Sequence, residues 1–591
     1  QGMVAKTMPA MDSLKLDRDH YYQQPLTGFY RLPCTVRQGE EREAAVYIPE
    51  NSEFNQPTVM IFVPEGVDSG AFLEDSGWAQ AAEEEKLYLV ILEPEQGVWK
   101  SQGEERAYVD SVLKRIGARP LFCPLAYRIY GAGYGAGADV LMGHMLRTPQ
   151  KWAGVLLAGP AGLTEEEAEE LRKTPTSVSG VNLSQVQMPA WIAAEEVTPE
   201  VKRLMDYLRE ANHSQQVPQQ LEPEVLAYMP EKGGTLDEHW CAPVYFSEMK
   251  WKNTLNVEFG RMVYRRLWKG TGRYGGNGNG ALRHNGDIRE RGFKRFAEKV
   301  LGGYGDPETD YYRREWWIYE PKEKPESGRF PTVFLFHGAG GSADEIGDRS
   351  GWAELAEKEG ILLVCPGASV ENVVRTINGN TTNNLFRSRW NTGKPKCECP
   401  GDMVFLDYLY QWVTERYPVD RTRVYATGQS SGGMMAWACA AYRPDYFAAA
   451  APVSAKNINK IDGEEPFVEK SPVPVMAFLG VEDRVFPGGF GTEDAGALVN
   501  YWCSRYHTDR QWGDYTYMGT GDRFSSRQGL FTNYVFKTES GVPMLHLAEV
   551  ETKTHAVLPS ECRMIWEEWF SRFTKDEDTK ALRYQGKRVE F

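Results

Sequence analysis

Residues 428–432 read Gly-Gln-Ser-Ser-Gly and stand between an apolar run, TRVYAT (422–427), and a small-residue helical run, MMAWACAAY (434–442). Glycines two places before and two places after a serine suit a turn from strand into helix so tight that it lifts the hydroxyl clear of the sheet, at the positive end of the helix dipole. Ser430 is therefore the candidate nucleophile. A hydroxyl attacks poorly at neutral pH unless an imidazole takes its proton and a carboxylate orients that imidazole. Asp483 follows the apolar run VPVMAFLG (473–480), with Glu482 as its rival. Of the nine His, three follow Ser430: His507 in a helix-like polar run, His546 alternating within a strand-like run, and His555 in a loop after the strand-like MLHLAEV (544–550). Loop position favours His555, so the expected catalytic set is Ser430, Asp483 and His555. An acyl-transfer oxyanion needs preorganised N–H donors. Ser431 offers one, and Ala339 in the glycine-rich loop HGAGG (337–341) offers the other.

The elements that must hold these residues occur twice. PTVMIF (57–62) matches PTVFLF (331–336), and SGWAQAAEEEKLYLV (76–90) matches SGWAELAEKEGILLV (350–364), both at an offset of 274. RIYGAGYGAG (128–137) matches RVYATGQSSG (423–432) at 295, so the second copy carries 21 extra residues, expected in the polar stretch 378–400. MPAWIAA (188–194) matches VPVMAFL (473–479) at 285. Each copy alternates buried strands with amphipathic helices, the pattern of an α/β fold in which a mostly parallel sheet is covered by helices on both faces. The expected domains are 1–305 and 306–591, with the boundary in the turn cluster GGYGDPETD (302–310) after a helix-like 291–301. Insertions at a strand's carboxyl end line ligand sites in such sheets. Arg387, Arg389 and Trp390 are accordingly expected to wall a substrate cleft.

Composition narrows the function further. The 591 residues carry 67 Lys plus Arg against 82 Asp plus Glu, a net charge of −15, which argues against nucleic acid or an anionic membrane as partner. No run of apolar residues is long enough for a membrane span. Gln1-Gly2 ahead of Met3 looks like a cleavage scar, making a cytoplasmic protein the expectation and a secreted one the alternative if a leader was trimmed. Nine Cys are too few for a disulfide scaffold; Cys397 and Cys399 read as loop thiols, with a disulfide to a distant Cys the alternative, and no metal site or cofactor is expected.

With these residues in hand, the second copy resembles the polyhydroxybutyrate-depolymerase-like esterases of the α/β-hydrolase fold, a group that includes feruloyl and acetylxylan esterases. The resemblance rests on FHGAGGSADE (336–345), SGWAELAEKEGILLVCP (350–366), RWN (389–391), GDMVFLDYL (401–409), GQSSGGMMA (428–436), YRPDYFAAAAPVSA (442–455) and THAVLP (554–559). It implies two tandem α/β-hydrolase-like domains and serine-dependent hydrolysis of a small-molecule or polymer-linked ester. It departs from the family at Ala339, often Cys there, and at Ser431, often Asn or Ala. A serine peptidase of the prolyl-oligopeptidase-like kind and a non-catalytic binding protein are the alternatives. By register the first copy has Gly135 for Ser430, Thr198 for Asp483, and Pro64 and Glu65 for Gly338 and Ala339. It is expected to be catalytically dead, with His284 at most a relic of the base. Its run 262–283 is aromatic and basic and is expected to reach a neighbouring active site, with GTGRYG (270–275) as a mobile loop. The glycines of RIYGAGYGAG align to the serine turn better than to a dinucleotide fingerprint, which wants an acid at the end of the next strand.

Overall fold

The computed structural model describes residues 2–9, 25–119, 122–222, 224–377, 380–395, 399–457, 471–508, 512–513, 516–517 and 523–591, without the side chains of 370–387 and 512–517. The chain divides into two compact units, the first ending at Gly286 and the second running from Asp287 to Phe591.

The first unit is built on an 11-stranded sheet whose six central strands, in spatial order Tyr88–Leu92, Asn55–Phe62, Cys123–Tyr134, Gly154–Ala158, Ala190–Ala194 and Val244–Glu248, are parallel. An antiparallel hairpin flanks the block on each side. Alternate residues face opposite ways, as the pleat requires. Met60 and Phe62 join one core cluster, with the helices Gln102–Gly117 and Ala136–Arg147, whereas Val59, Ile61 and Val63 join another, with Trp78–Glu85 and Val257–Val263. Helices therefore cover both faces.

The second unit repeats this order. Its six parallel strands are Leu362–Pro366, Phe330–Phe336, Val419–Gln429, Ala449–Val453, Val475–Gly480 and Pro543–Val550, again with an antiparallel hairpin at each side of a 10-stranded sheet. The extra residues of this unit form an antiparallel hairpin, Val370–Ile377 with Asn380–Ser388, after the strand Leu362–Pro366. Among the described residues no helix is long and apolar enough to cross a membrane. Cys34, Cys241, Cys365 and Cys439 are free thiols; Cys397 lies outside the described residues.

Three expectations are corrected. Residues 291–301 do not form a helix: Lys294–Leu301 is a strand antiparallel to Tyr311–Tyr319, because Phe296 packs edge-on against Trp412 and beside Trp316 while Glu298 on the same face accepts from Trp412 Nε1. The boundary consequently falls at 286/287 and not at 305/306, since cutting at 305 would divide one hairpin. The run 262–283 is no free arm. Trp268 stacks on Trp78 and Tyr130 in the first unit's core, Arg265 pairs with Glu85, and GTGRYG enters a buried strand, Thr271–Tyr274, paired with Ala281–His284.

Candidate active site

The central strand Val419–Gln429 runs into Ser430, which has φ 57° and ψ −118° and stands ahead of the helix Ser431–Tyr442. The flanking glycines explain this corner sterically. A Cβ on Gly428 would strike the carbonyl oxygens of Gly432 and Phe336, and one on Gly432 would strike those of Phe336 and His337. The turn therefore closes only with glycine at both places, and Ser430 takes a conformation that costs an L-residue about 1–3 kcal/mol.

The next strands deliver the partners in sequence order. Asp483 follows Val475–Gly480, and His555 follows Pro543–Val550. His555 Nε2 lies 2.8 Å from Ser430 Oγ, and His555 Nδ1 lies 2.8 Å from Asp483 Oδ2. With the carboxylate accepting at Nδ1, Nε2 is left to accept the serine proton. Asp483 Oδ1 takes the N–H groups of Val485 at 2.8 Å and Phe486 at 3.0 Å. Burial raises the proton affinity of this carboxyl, but the bond from His555 and those backbone donors outweigh it and hold the pKa below the ordinary value. Glu482 is exposed and contributes only its N–H, to Lys553 O at 2.9 Å. His507 is exposed, and His546 is buried with Nε2 2.8 Å from Asn533 Oδ1. Neither shares the site.

The His555 loop is fixed from below. Lys553 and Glu561 form a fully buried ion pair at 2.7 Å, Glu561 Oε1 accepts from Leu558 N–H at 2.7 Å, and Ser454 Oγ donates to Ala556 O at 2.7 Å. Neither Lys553 nor Ser454 stands out in the sequence; Glu561, two residues after Pro559, is the one signal, a helix-start pattern.

Ala339 lies in the loop leaving Phe330–Phe336. That loop approaches Ser430 so closely that a Cβ on Gly338 would sit 3.5 Å from Ser430 Cβ. Gly340 N–H donates to Ser388 O at 2.7 Å and Gly341 N–H to Gly338 O at 3.0 Å, while the Ala339 N–H has no acceptor among the described residues. Ser431 holds the first position of its helix, where an N–H has no intrahelical acceptor.

Trp390 does not wall an open cleft. Its ring is 4 % exposed, packs edge-on against Phe336, and donates Nε1–H to His337 O at 2.7 Å. An indole in an apolar pocket with its one donor satisfied is a brace, and here it braces the Ala339 loop. Arg389 is exposed with its N–H on Ser369 O at 3.3 Å, and the side chain of Arg387 lies outside the described residues.

The first unit has the same corner with glycine in place of the serine. Gly135 has φ 57° and ψ −126°, and a Cβ on Gly137 would strike Phe62 O just as one on Gly432 would strike Phe336 O. Trp99 Nε1–H donates to Val63 O at 2.8 Å, the counterpart of the Trp390 brace. A Cβ at Gly135 would lie 3.6 Å from the Trp251 indole, which occupies the ground above the turn. Thr198 caps the helix Pro199–Ala211 through Val201 N–H at 3.2 Å, and Glu65 accepts from Trp99 N–H at 3.2 Å. Strand register, Glu549 beside Leu479 and Glu248 beside Ala194, sets Thr254 and not His284 at the His555 position. His284 instead lies with Nδ1 2.8 Å from Thr271 Oγ1.

Residues 312–512 match the sequence model of the family described as "Putative esterase". Among curated relatives, the chain is 30 % identical over 157 residues to "Putative esterase NocK" of Nocardia uniformis subsp. tsuyamanensis, covering 27 % of this chain and 41 % of the relative. It is 25 % identical over 215 residues to feruloyl esterase B of Neurospora crassa, covering 34 % and 59 %. The chain thus spans about two fifths to three fifths of the length of these relatives. Among solved structures, an acetyl xylan esterase from Aspergillus awamori matches at 17 % identity and a TM-score of 0.32, over 47 % of this chain and 99 % of that one. The resemblance to esterases drawn from the second copy's motifs is borne out.

Proposed function

We propose that the protein is a serine-dependent carboxylic ester hydrolase whose chemistry resides in the second unit. The observation that carries this reading is the continuous hydrogen-bonded chain from Ser430 Oγ through His555 to Asp483. In acylation His555 Nε2 takes the Ser430 proton as Oγ attacks the ester carbonyl, and the N–H groups of Ala339 and Ser431 receive the oxyanion. His555 then returns that proton to the leaving alkoxide, giving free alcohol and an acyl-serine. A water activated by the same imidazole releases the acid. Asp483 holds the imidazole in the Nδ1–H tautomer and balances its charge when both nitrogens are protonated. Feruloyl, acetyl and hydroxyalkanoate-type esters, free or polymer-linked, are the substrate classes to which the resemblance points. The first unit, with Gly135, Thr198 and Thr254 at the three positions, is a non-catalytic companion.

A fluorophosphonate probe should label Ser430 alone, and Ser430→Ala should lower ester turnover at least about a thousandfold with the fold unchanged. A Ser430→Ala protein retaining more than about a tenth of the wild-type rate would refute the assignment.

A further inference from the structure

The loop that supplies Asp483 also places an aromatic ring against the imidazole. Phe486 packs on His555 with ring centroids 5.7 Å apart and planes at 51°. One carboxylate fixes both groups, since Asp483 Oδ2 accepts from His555 and Oδ1 accepts from the Phe486 N–H at 3.0 Å. The loop is tied down again at Phe490, which is buried and donates its N–H to Glu549 Oε1 at 3.1 Å. Phe486 is only partly buried, and its neighbour Val485 is 59 % exposed, so an apolar edge borders the catalytic imidazole.

Resting on the esterase reading, we propose that Phe486 is a specificity residue for the alcohol portion of the substrate and favours esters whose alcohol carries an apolar ring. The path of the proton sets this preference. His555 Nε2 must come within hydrogen-bond reach, about 3 Å, of the leaving oxygen, because that oxygen receives the proton taken from Ser430. The carbon bonded to this oxygen therefore stands beside the imidazole, where Phe486 borders it. The acyl chain extends from the carbonyl carbon, whose oxygen faces Ala339 and Ser431, in a different direction. Aromatic pairs with centroids about 4.5–7 Å apart gain attraction beyond their area burial, and a small alkyl alcohol offers no ring for it.

The test uses the full chain and two ester pairs: benzyl acetate against ethyl acetate, varying the alcohol, and ethyl phenylacetate against ethyl acetate, varying the acid. Phe486→Ala should lower the benzyl-to-ethyl ratio of kcat/KM about tenfold while moving the acid-side ratio less than twofold, and Phe486→Tyr should restore the first ratio. A packing role alone would lower every rate together and leave both ratios unmoved. That outcome overturns the proposal, as does a loss confined to the acid-side pair. Turnover that Ser430→Ala abolishes, with an unmoved benzyl-to-ethyl ratio, refutes only the role of Phe486; a failure to hydrolyse any of these esters or to label Ser430 refutes it together with the esterase reading.

Discussion

His546 illustrates how one side chain's surroundings decide its role. It shares a strand with the approach to His555, yet it is enclosed, and burial, with Arg572 adding repulsion, pushes its pKa down to about 3. The sign of the consequence follows from linkage. Between about pH 3 and the ordinary value near 6.5 the folded protein binds fewer protons here than the unfolded chain does, so stability falls as pH drops through that window. The slope from this one group is at most about 1.4 kcal/mol per pH unit. His546→Gln retains a donor for Asn533 Oδ1 and removes the titration. Denaturant unfolding at pH 4.5 and 7 should show a smaller difference for this variant than for wild type; an equal or larger difference would discount the buried imidazole as the cause. Asp483 acts in the same direction at lower pH, because its depressed folded pKa means stability present above the unfolded value is lost as pH falls through the folded one.

At the scale of elements, the Trp390 brace extends beyond the active loop. Buried Arg314, on the strand Tyr311–Tyr319, pairs with Asp402 at the start of the helix Asp402–Arg416, and Asp402 Oδ2 also accepts from the N–H of Asn391, next to Trp390. The first unit repeats the pattern: Arg42 donates to Glu105 at 2.6 Å, and Glu105 accepts from Lys100 N–H at 3.0 Å, next to Trp99. A device present in both units, only one of which has a serine at the corner, serves the loop's geometry and not the substrate. Trp390→Phe removes one hydrogen bond, worth about 1 kcal/mol, and frees the Ala339 loop. Steady-state kinetics should show kcat lowered about tenfold with KM within twofold, whereas a cleft-lining residue would move KM. The contrast shows what was legible in the sequence. Ser430, Asp483 and His555 follow strands whose apolar runs are unmistakable, so position along the chain singled out three side chains that the fold brings within hydrogen-bond distance. Trp390 and Phe486 were opaque because a tryptophan in a polar insertion and a phenylalanine in a loop carry no mark of the partner they will meet. Residues 291–301 misled for a related reason: their polar spacing suits a helix, and only pairing with Tyr311–Tyr319 makes them a strand.

For the whole molecule, the repeat was the most legible feature, since offsets held over many residues reappear as the same strand order in two sheets. The boundary was not, because a Gly/Pro/Asp cluster marks a hairpin turn as readily as a linker. A fragment beginning at 306 discards the strand Lys294–Leu301 and strips Trp316 and Trp412 of the Phe296 ring. Fragments 287–591 and 306–591 should therefore differ, with the longer more soluble and melting several degrees higher. Equal melting temperatures would show that the edge hairpin contributes nothing to the second unit.

Gly135 and Ser430 occupy one backbone corner under two different loads. For glycine, φ 57° is ordinary ground; for serine it is a tensioned spring held by the surrounding turn. Exchange of that serine for glycine lets the spring go and runs downhill in folding free energy, while the reverse exchange at Gly135 runs uphill and sets a Cβ 3.6 Å from the Trp251 indole. Exchange between the two residues at this corner therefore works as a ratchet, and the two units of this chain stand on opposite sides of its pawl.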